Sequence, residues 1–342
     1  MSKINKIKTY FTFSGCLIIV TLIIVSYYAF VAPNYFEGEK VIAVSKGMTF
    51  ANVVDTLKSI GVIRNKYLFE LAGRVLGKER KVRIGKFLFR SGVTNPQILE
   101  DLTTGRSALL IKVTIPEGLR ASAQASILRT EVGIDSQRFV NHVFDESFIE
   151  RTGVKCTSLE GYLMPNTYQF YWQTDEEEII KIMVQEFWKV YNDTFIRRTE
   201  SLGLTVNDVI TMASIVEAET NIASERAVVA GVYYNRIKKR MLLQADPTIQ
   251  YLLDDGPRRL KYRDLQIESP YNTYRNVGLP PGPVNNPGRD AIIAALYPAK
   301  HSYLYFVASG GIGHIFSSNY SGHQSAVKKY RKKIGETTKY ED

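Results

Sequence analysis

The chain has 342 residues, 45% of them hydrophobic and 23% charged, with a net charge of +10. That is the composition of a globular protein with room for two domains beside any membrane anchor. It excludes several classes. The two cysteines, Cys16 and Cys156, fall inside and far outside an apolar N-terminal run, so an internal disulfide is not expected. Neither they nor His142, His301, His314 and His323 have zinc-ligand spacing, and no phosphate-binding glycine loop occurs, so no metal and no nucleotide cofactor is expected. Basic clusters stand at 78–81 and 328–333. They read as solvated surface or as attraction to an anionic polymer or lipid headgroups; no nucleic-acid-binding motif accompanies them.

Residues 1–9 read as a cytoplasmic tail and 10–32 as a transmembrane helix. Tyr10 to Ala32 carries no charge, and about 23 residues at about 1.5 Å each span a hydrocarbon core of about 30 Å. A cleaved signal peptide has a shorter apolar region and a small-residue cleavage site, which do not fit. Ser14-Gly15-Cys16 hints at a lipoprotein signal, but the long apolar stretch follows Cys16 instead of preceding it. Lys3, Lys6 and Lys8 before the span place the N-terminus in the cytoplasm and the remainder outside the cytoplasmic (inner) membrane.

Residues 38–105 read as a small α+β module. Val41 to Val44 is a strand, Thr49 to Leu57 a short helix with apolar positions 50, 53, 54 and 57, and Lys66 to Leu76 a second helix. Gly85 to Phe89 is a strand, and Asn95 to Thr103 a helix ending at Gly105. The pattern resembles LysM-like domains, which bind cell-wall glycans.

Residues 106–335 read as a larger α+β domain, followed by a polar tail at 336–342. Leu109 to Ile115 is a strand stopped by Pro116-Glu117-Gly118, and helices are expected near 121–131 and 136–144. Thr174-Asp175-Glu176-Glu177 has the form of a capping box opening one long amphipathic helix that ends near Gly203.

Thr205-Val206-Asn207-Asp208 opens the next helix in the same way. At about 100° per residue, Val206, Ile210, Ala213 and Glu217 share one face. Glu217 thus falls in the stripe that should be buried, and Glu219 is expected to point away. A buried glutamate is costly unless paired or functional. Desolvation raises its pKa, which suits a general acid; the alternative is a salt bridge to Arg226 or Arg236. The loops that follow, Leu243 to Thr248, Ser269 to Tyr274 and Gly278 to Pro283, carry amides, hydroxyls and tyrosines of the kind that bind sugars, although a rigid turn and core packing account for them singly.

Taken in order, Leu159-Glu160-Gly161-Tyr162-Leu163-Met164-Pro165-Asn166-Thr167-Tyr168, Ala213 to Thr220, Ser224-Glu225-Arg226 and Val232-Tyr233-Tyr234-Asn235-Arg236 form one motif series. It continues with Leu243-Gln244-Ala245-Asp246-Pro247-Thr248, Tyr271-Asn272-Thr273-Tyr274, Gly278-Leu279-Pro280-Pro281-Gly282 and Tyr303 to Val307. The series resembles the YceG-like family of endolytic murein transglycosylases over most of 40–330. The resemblance implies an α+β fold behind one membrane helix and a LysM-like segment. It implies cleavage of the β-1,4 bond between N-acetylmuramic acid and N-acetylglucosamine, leaving a 1,6-anhydro end and terminating nascent strands at the membrane. Glu217, the first glutamate of the Glu-x-Glu-Thr motif, is then the catalytic residue. Gln244, Asp246, Tyr271, Asn272 and Glu219 are expected to bind or orient substrate, and His314 to reach the cleft or play a structural part. The substrate is peptidoglycan glycan strands, membrane lipid surrounds residues 10–32, and peptidoglycan synthases are expected partners. The family's lysine after the catalytic glutamate is replaced here by Ala218, expected to face outward. Two other readings are a hydrolytic muramidase with Asp246 as nucleophile or base, and a non-catalytic membrane-tethered glycan-binding scaffold.

Overall fold

The computed structural model describes residues 3–254 and 256–337. The chain divides into two compact units, Met1–Lys112 with Gln169–Thr174, and Val113–Tyr168 with Asp175–Asp342.

The first unit begins with α1 (Lys3–Phe30), β1 (Pro33–Asn34), β2 (Glu39–Val44), α2 (Phe50–Ser59) and α3 (Lys66–Val75). β3 (Gly85–Arg90), β4 (Val93–Thr94) and α4 (Asn95–Thr104) follow. The stretch Phe13–Phe30 of α1 is long and apolar enough to cross a membrane. The helix starts at Lys3, so residues 3–9, expected as a tail, continue it; Met1 and Ser2 lie outside the described residues. β2 and β3 pair antiparallel, Glu39 opposite Arg90 and Val44 opposite Gly85. Val53, Val54 and Leu57 of α2, Phe69 of α3, and Ile98, Leu99 and Leu102 of α4 close on Ile42, Phe87 and Phe89 of that ribbon. Thr49 and Thr94 cap α2 and α4 with reciprocal capping boxes, and Gly105 ends α4 in the left-handed conformation.

β5 (Leu110–Thr114) leads into the second unit, and β6 (Thr167–Tyr171), its partner in a two-stranded sheet, leads back. Between them lie α5 (Ala121–Val132), α6 (Ser136–Phe144) and α7 (Glu146–Thr152), the last not foreseen from sequence. The long helix expected up to Gly203 is two helices, α8 (Glu176–Val190) and α9 (Asp193–Ser201). Tyr191 leaves helical geometry at ψ 66°, and Asn192 caps α9 by accepting from Thr194 N and Phe195 N. Asp175, not Thr174, caps α8.

α10 (Val206–Glu219), α11 (Ala223–Lys238), α12 (Asp246–Gln250) and α13 (Arg289–Leu296) form the centre of this unit. Val209 to Glu217 are buried without interruption, so α10 is enclosed on every side instead of presenting one apolar face. The hairpin β7 (Tyr305–Ala308) and β8 (His314–Ser317) packs against α14 (Tyr320–Thr337), which carries the 328–333 basic cluster. α14 runs two residues past the expected start of the polar tail; residues 338–342 lie outside the described ones.

Candidate active site

The C-terminal end of α10 delivers two glutamates to different surroundings. Glu217 is 6% exposed. Its Oε1 accepts from Arg226 Nη2 at 2.9 Å and its Oε2 from Gly288 N at 3.0 Å. This is the ion pair with Arg226 that the sequence left open; Arg236 instead donates to the carbonyls of Leu304 and Leu243. Burial pushes the Glu217 pKa up, against the Gly288 N–H and the Arg226 charge. Glu117 Oε2 lies 3.8 Å and Asp290 Oδ2 4.0 Å from the same guanidinium, so Arg226 sits among three carboxylates.

Glu219, the last residue of α10, was expected to face away from the buried stripe of Glu217 and to bind or orient substrate. It lies in the walls of two cavities, one of about 850 Å³ and one of about 310 Å³. Glu217 is outside the walls of both. Tyr233 Oη donates to Glu219 Oε1 at 2.6 Å. The Glu219 pKa is pushed up to about 7, chiefly by burial; the Tyr233 bond and the Arg236 charge oppose this, and the Asp246 charge adds to it. The negative end of the α10 dipole favours the same protonated form. Glu219 is half-buried as a residue.

Asp246 also lies in both walls. It is the first residue of α12, and Tyr274 Oη donates to its Oδ1. Gln244 lines the smaller cavity and holds φ at +46°, the left-handed region that a glutamine rarely occupies. Its backbone N donates to Thr273 O at 3.0 Å, and Ala245 N to Thr273 Oγ1 at 3.0 Å. These bonds join the 243–248 loop to the 271–274 loop.

The other two expected residues stand back from the cavities. Asn272 is fully buried. Its Nδ2 donates to Leu265 O at 3.0 Å and Ile267 O at 2.7 Å, and its Oδ1 accepts from Tyr274 N at 2.9 Å. It has the bonding of a loop staple and presents nothing to a sugar. Tyr271 packs its ring 5.0 Å from that of Tyr251 and belongs to neither wall. His314 donates or accepts through Nδ1 with Glu225 Oε2 at 2.7 Å, fastening the hairpin to α11. Ala218 is exposed and forms part of the larger wall, so the outward face of α10 at this point is the cleft itself.

Tyr233, Arg236, Tyr274 and His323, which sequence reasoning did not assign to the site, are all in the smaller wall. The spacing of Tyr233 and Arg236, three apart on α11, is the signal that puts both on one helix face. Val284 and Asn285 line the larger cavity and are fixed to α10 by Ser214: Ser214 Oγ accepts from Val284 N at 3.0 Å, and Asn285 Nδ2 donates to Ser214 O at 2.8 Å.

The YceG-like family model matches residues 42–329. The endolytic murein transglycosylase of Bacillus subtilis strain 168 is 32% identical over 304 residues, covering 84% of this chain and 84% of that protein. The endolytic murein transglycosylase of Streptococcus pneumoniae strain D39 is 28% identical over 308 residues, covering 81% of this chain; the match spans only 56% of that longer protein. A crystal structure of a yceG-like protein from Listeria monocytogenes aligns with a TM-score of 0.60 at 29% identity, covering 85% of this chain and 99% of that one.

Proposed function

The chain belongs to the YceG-like family, and from that premise we propose that it is an endolytic lytic transglycosylase of peptidoglycan in which Glu219 is the acid. The observation that carries the assignment to Glu219 is its place in both cavity walls with a pKa near neutrality. A polymer lying across both cavities puts an internal glycosidic bond at the carboxyl between them, which suits cutting within a strand.

The chemistry needs one carboxyl used twice. Protonated Glu219 donates to the glycosidic oxygen between N-acetylmuramic acid and N-acetylglucosamine, and the C1–O bond breaks. The resulting carboxylate takes the proton of the muramic acid's own C6 hydroxyl as that oxygen closes on C1. The products are a 4-hydroxyl end and a 1,6-anhydro end, no water is consumed, and the acid is restored. A second carboxylate for activating water is not demanded, unlike in an inverting glycosidase. Asp246 supplies a negative charge beside the developing cation at C1, and Gln244 and Tyr274 supply polar contacts to the sugars.

Glu217, the residue the family motif pointed to, supports the site from behind in this reading. Its carboxylate holds Gly288 and Arg226, and so the segment whose Val284 and Asn285 line the larger cavity.

The lysines of α1 that precede its apolar stretch favour a cytoplasmic N-terminus, with the catalytic unit outside the cytoplasmic membrane, beside nascent glycan strands. Contact with peptidoglycan synthases and glycan binding by the 38–105 module follow from the same reading. Digestion of purified peptidoglycan tests the reaction type: 1,6-anhydro ends are expected, and reducing ends would instead mean a hydrolytic muramidase.

A further inference from the structure

The junction between α1 and its module is fixed by buried amides. Asn95 Nδ2 donates to Ala29 O at 3.2 Å and Tyr28 O at 3.4 Å, satisfying carbonyls at the last turn of α1. Asn34 Nδ2 donates to Asn95 Oδ1 at 3.0 Å, and Asn34 Oδ1 accepts from Arg64 N at 3.1 Å. Ala29 and Ala32 are buried in the module. The apolar helix therefore continues into its module without a loose linker.

A cavity of about 300 Å³ opens at this junction, lined chiefly by Tyr28, Ala32, Asn34, Arg64, Asn65 and Asn95. The span Phe13–Phe30 is 18 residues long, about 27 Å of helix and close to the whole hydrocarbon thickness. Ala32 and Asn34 come within about one turn of its end, which sets the cavity at headgroup depth. Tyr28 in its wall is exposed, and so are Tyr27, Tyr35 and Tyr67, each next in sequence to a lining residue, as aromatic side chains are at a membrane interface.

Arg64 is exposed, with its guanidinium 5.6 Å over the Tyr35 ring, and has no carboxylate partner among the described residues. Asn65, which lines the cavity, spends Oδ1 on Tyr67 N and Leu68 N and not its amide donor. An exposed guanidinium beside the Asn65 amide offers the donors that a phosphodiester takes.

We propose that this juxtamembrane cavity binds the phosphate of an anionic phospholipid, with Arg64 as the principal donor. The proposal rests on α1 spanning a bilayer. The apolar lining from Ala32, Tyr28 and Leu68 favours a lipid over a free anion, because it has acyl chains to meet.

The test uses the full chain. Flotation with phosphatidylcholine vesicles, with and without phosphatidylglycerol, first reads membrane insertion. Native mass spectrometry then counts lipids retained after release from a mixed bilayer. Wild-type protein is expected to insert in both bilayers and to retain phosphatidylglycerol in preference to phosphatidylcholine. Arg64→Gln is expected to insert equally and lose that preference about tenfold, whereas Lys329→Gln on α14 keeps it. Failure to float would overturn the membrane span, and the lipid site with it. Insertion with an unchanged preference in Arg64→Gln would overturn the lipid site alone. Displacement of the lipid by millimolar inorganic phosphate would reassign the cavity to a soluble anion and overturn the lipid assignment.

Discussion

Tyr233 Oη donates a 2.6 Å hydrogen bond to Glu219 Oε1, joining the end of α10 to the third turn of α11 across the short connection at 220–222. The bond leaves Glu219 Oε2 to carry the exchangeable proton. It also stabilises the carboxylate form, so burial and the Asp246 charge must outweigh it to keep the group protonated near neutrality.

Activity should therefore depend on pH through Glu219. Its pKa is raised to about 7, so the acid form is present below that value and is lost as pH rises through it. The rate constant kcat/KM measured on soluble glycan strands is expected to fall on the alkaline side with a midpoint near 7. A midpoint near 4.5 would mean an unperturbed carboxyl.

Tyr233→Phe removes the one side-chain hydrogen bond to Glu219 among the described residues and keeps the ring packing against Phe306. Losing a donor to the carboxylate moves the alkaline limb toward higher pH, by about one pH unit for a bond of ordinary strength. The pH profile of the variant checks this; a downward move would contradict it.

Asn272→Ala should act on stability and not on sugar contact. It removes the donor to Leu265 O and Ile267 O inside the protein. A loss of about 1–3 kcal/mol in denaturant unfolding is expected. KM near the wild-type value in the fraction that remains folded would distinguish a staple from a binding residue.

Gly161 shows the cost of a side chain where the backbone demands none. Its φ is +89°, and an added Cβ would collide with Pro283 Cγ and sit 2.8 Å from Ile210 Cγ2. Gly161→Ala should lower stability by about 2–5 kcal/mol, from the left-handed strain together with the overpacking. Thermal unfolding of the full chain in detergent reads it.

Most elements were legible because their ends are written locally. Thr49, Thr94 and Thr205 cap their helices with a bonding side chain three residues on, and Gly105 supplies a left-handed stop. The break at Tyr191 and Asn192 was not legible, because the apolar period runs on through it: Phe187 and Tyr191 stack on each other, and Phe195 of the next helix meets Tyr191 edge-on. The acid proposed here stands two residues beyond the one the motif implies, for a related reason. The face rule assumes one buried side, but α10 is buried on all sides up to Glu217, so burial there does not single out a catalytic group. Glu219 lies where the helix ends and the enclosure opens. The role proposed for it rests on long-range neighbours, Tyr233 and Asp246, that no local period reveals.

The most direct measurement compares Glu219→Gln with Glu217→Gln in the full chain, counting 1,6-anhydro ends released from purified peptidoglycan. Glu219→Gln is expected to lower the rate by about 10²–10⁴, the range for loss of a general acid. Glu217→Gln keeps an acceptor for Arg226 or Gly288 and should retain measurable cleavage at reduced stability. Undiminished cleavage by Glu219→Gln, with none by a folded Glu217→Gln, would contradict the assignment and return the acid to Glu217.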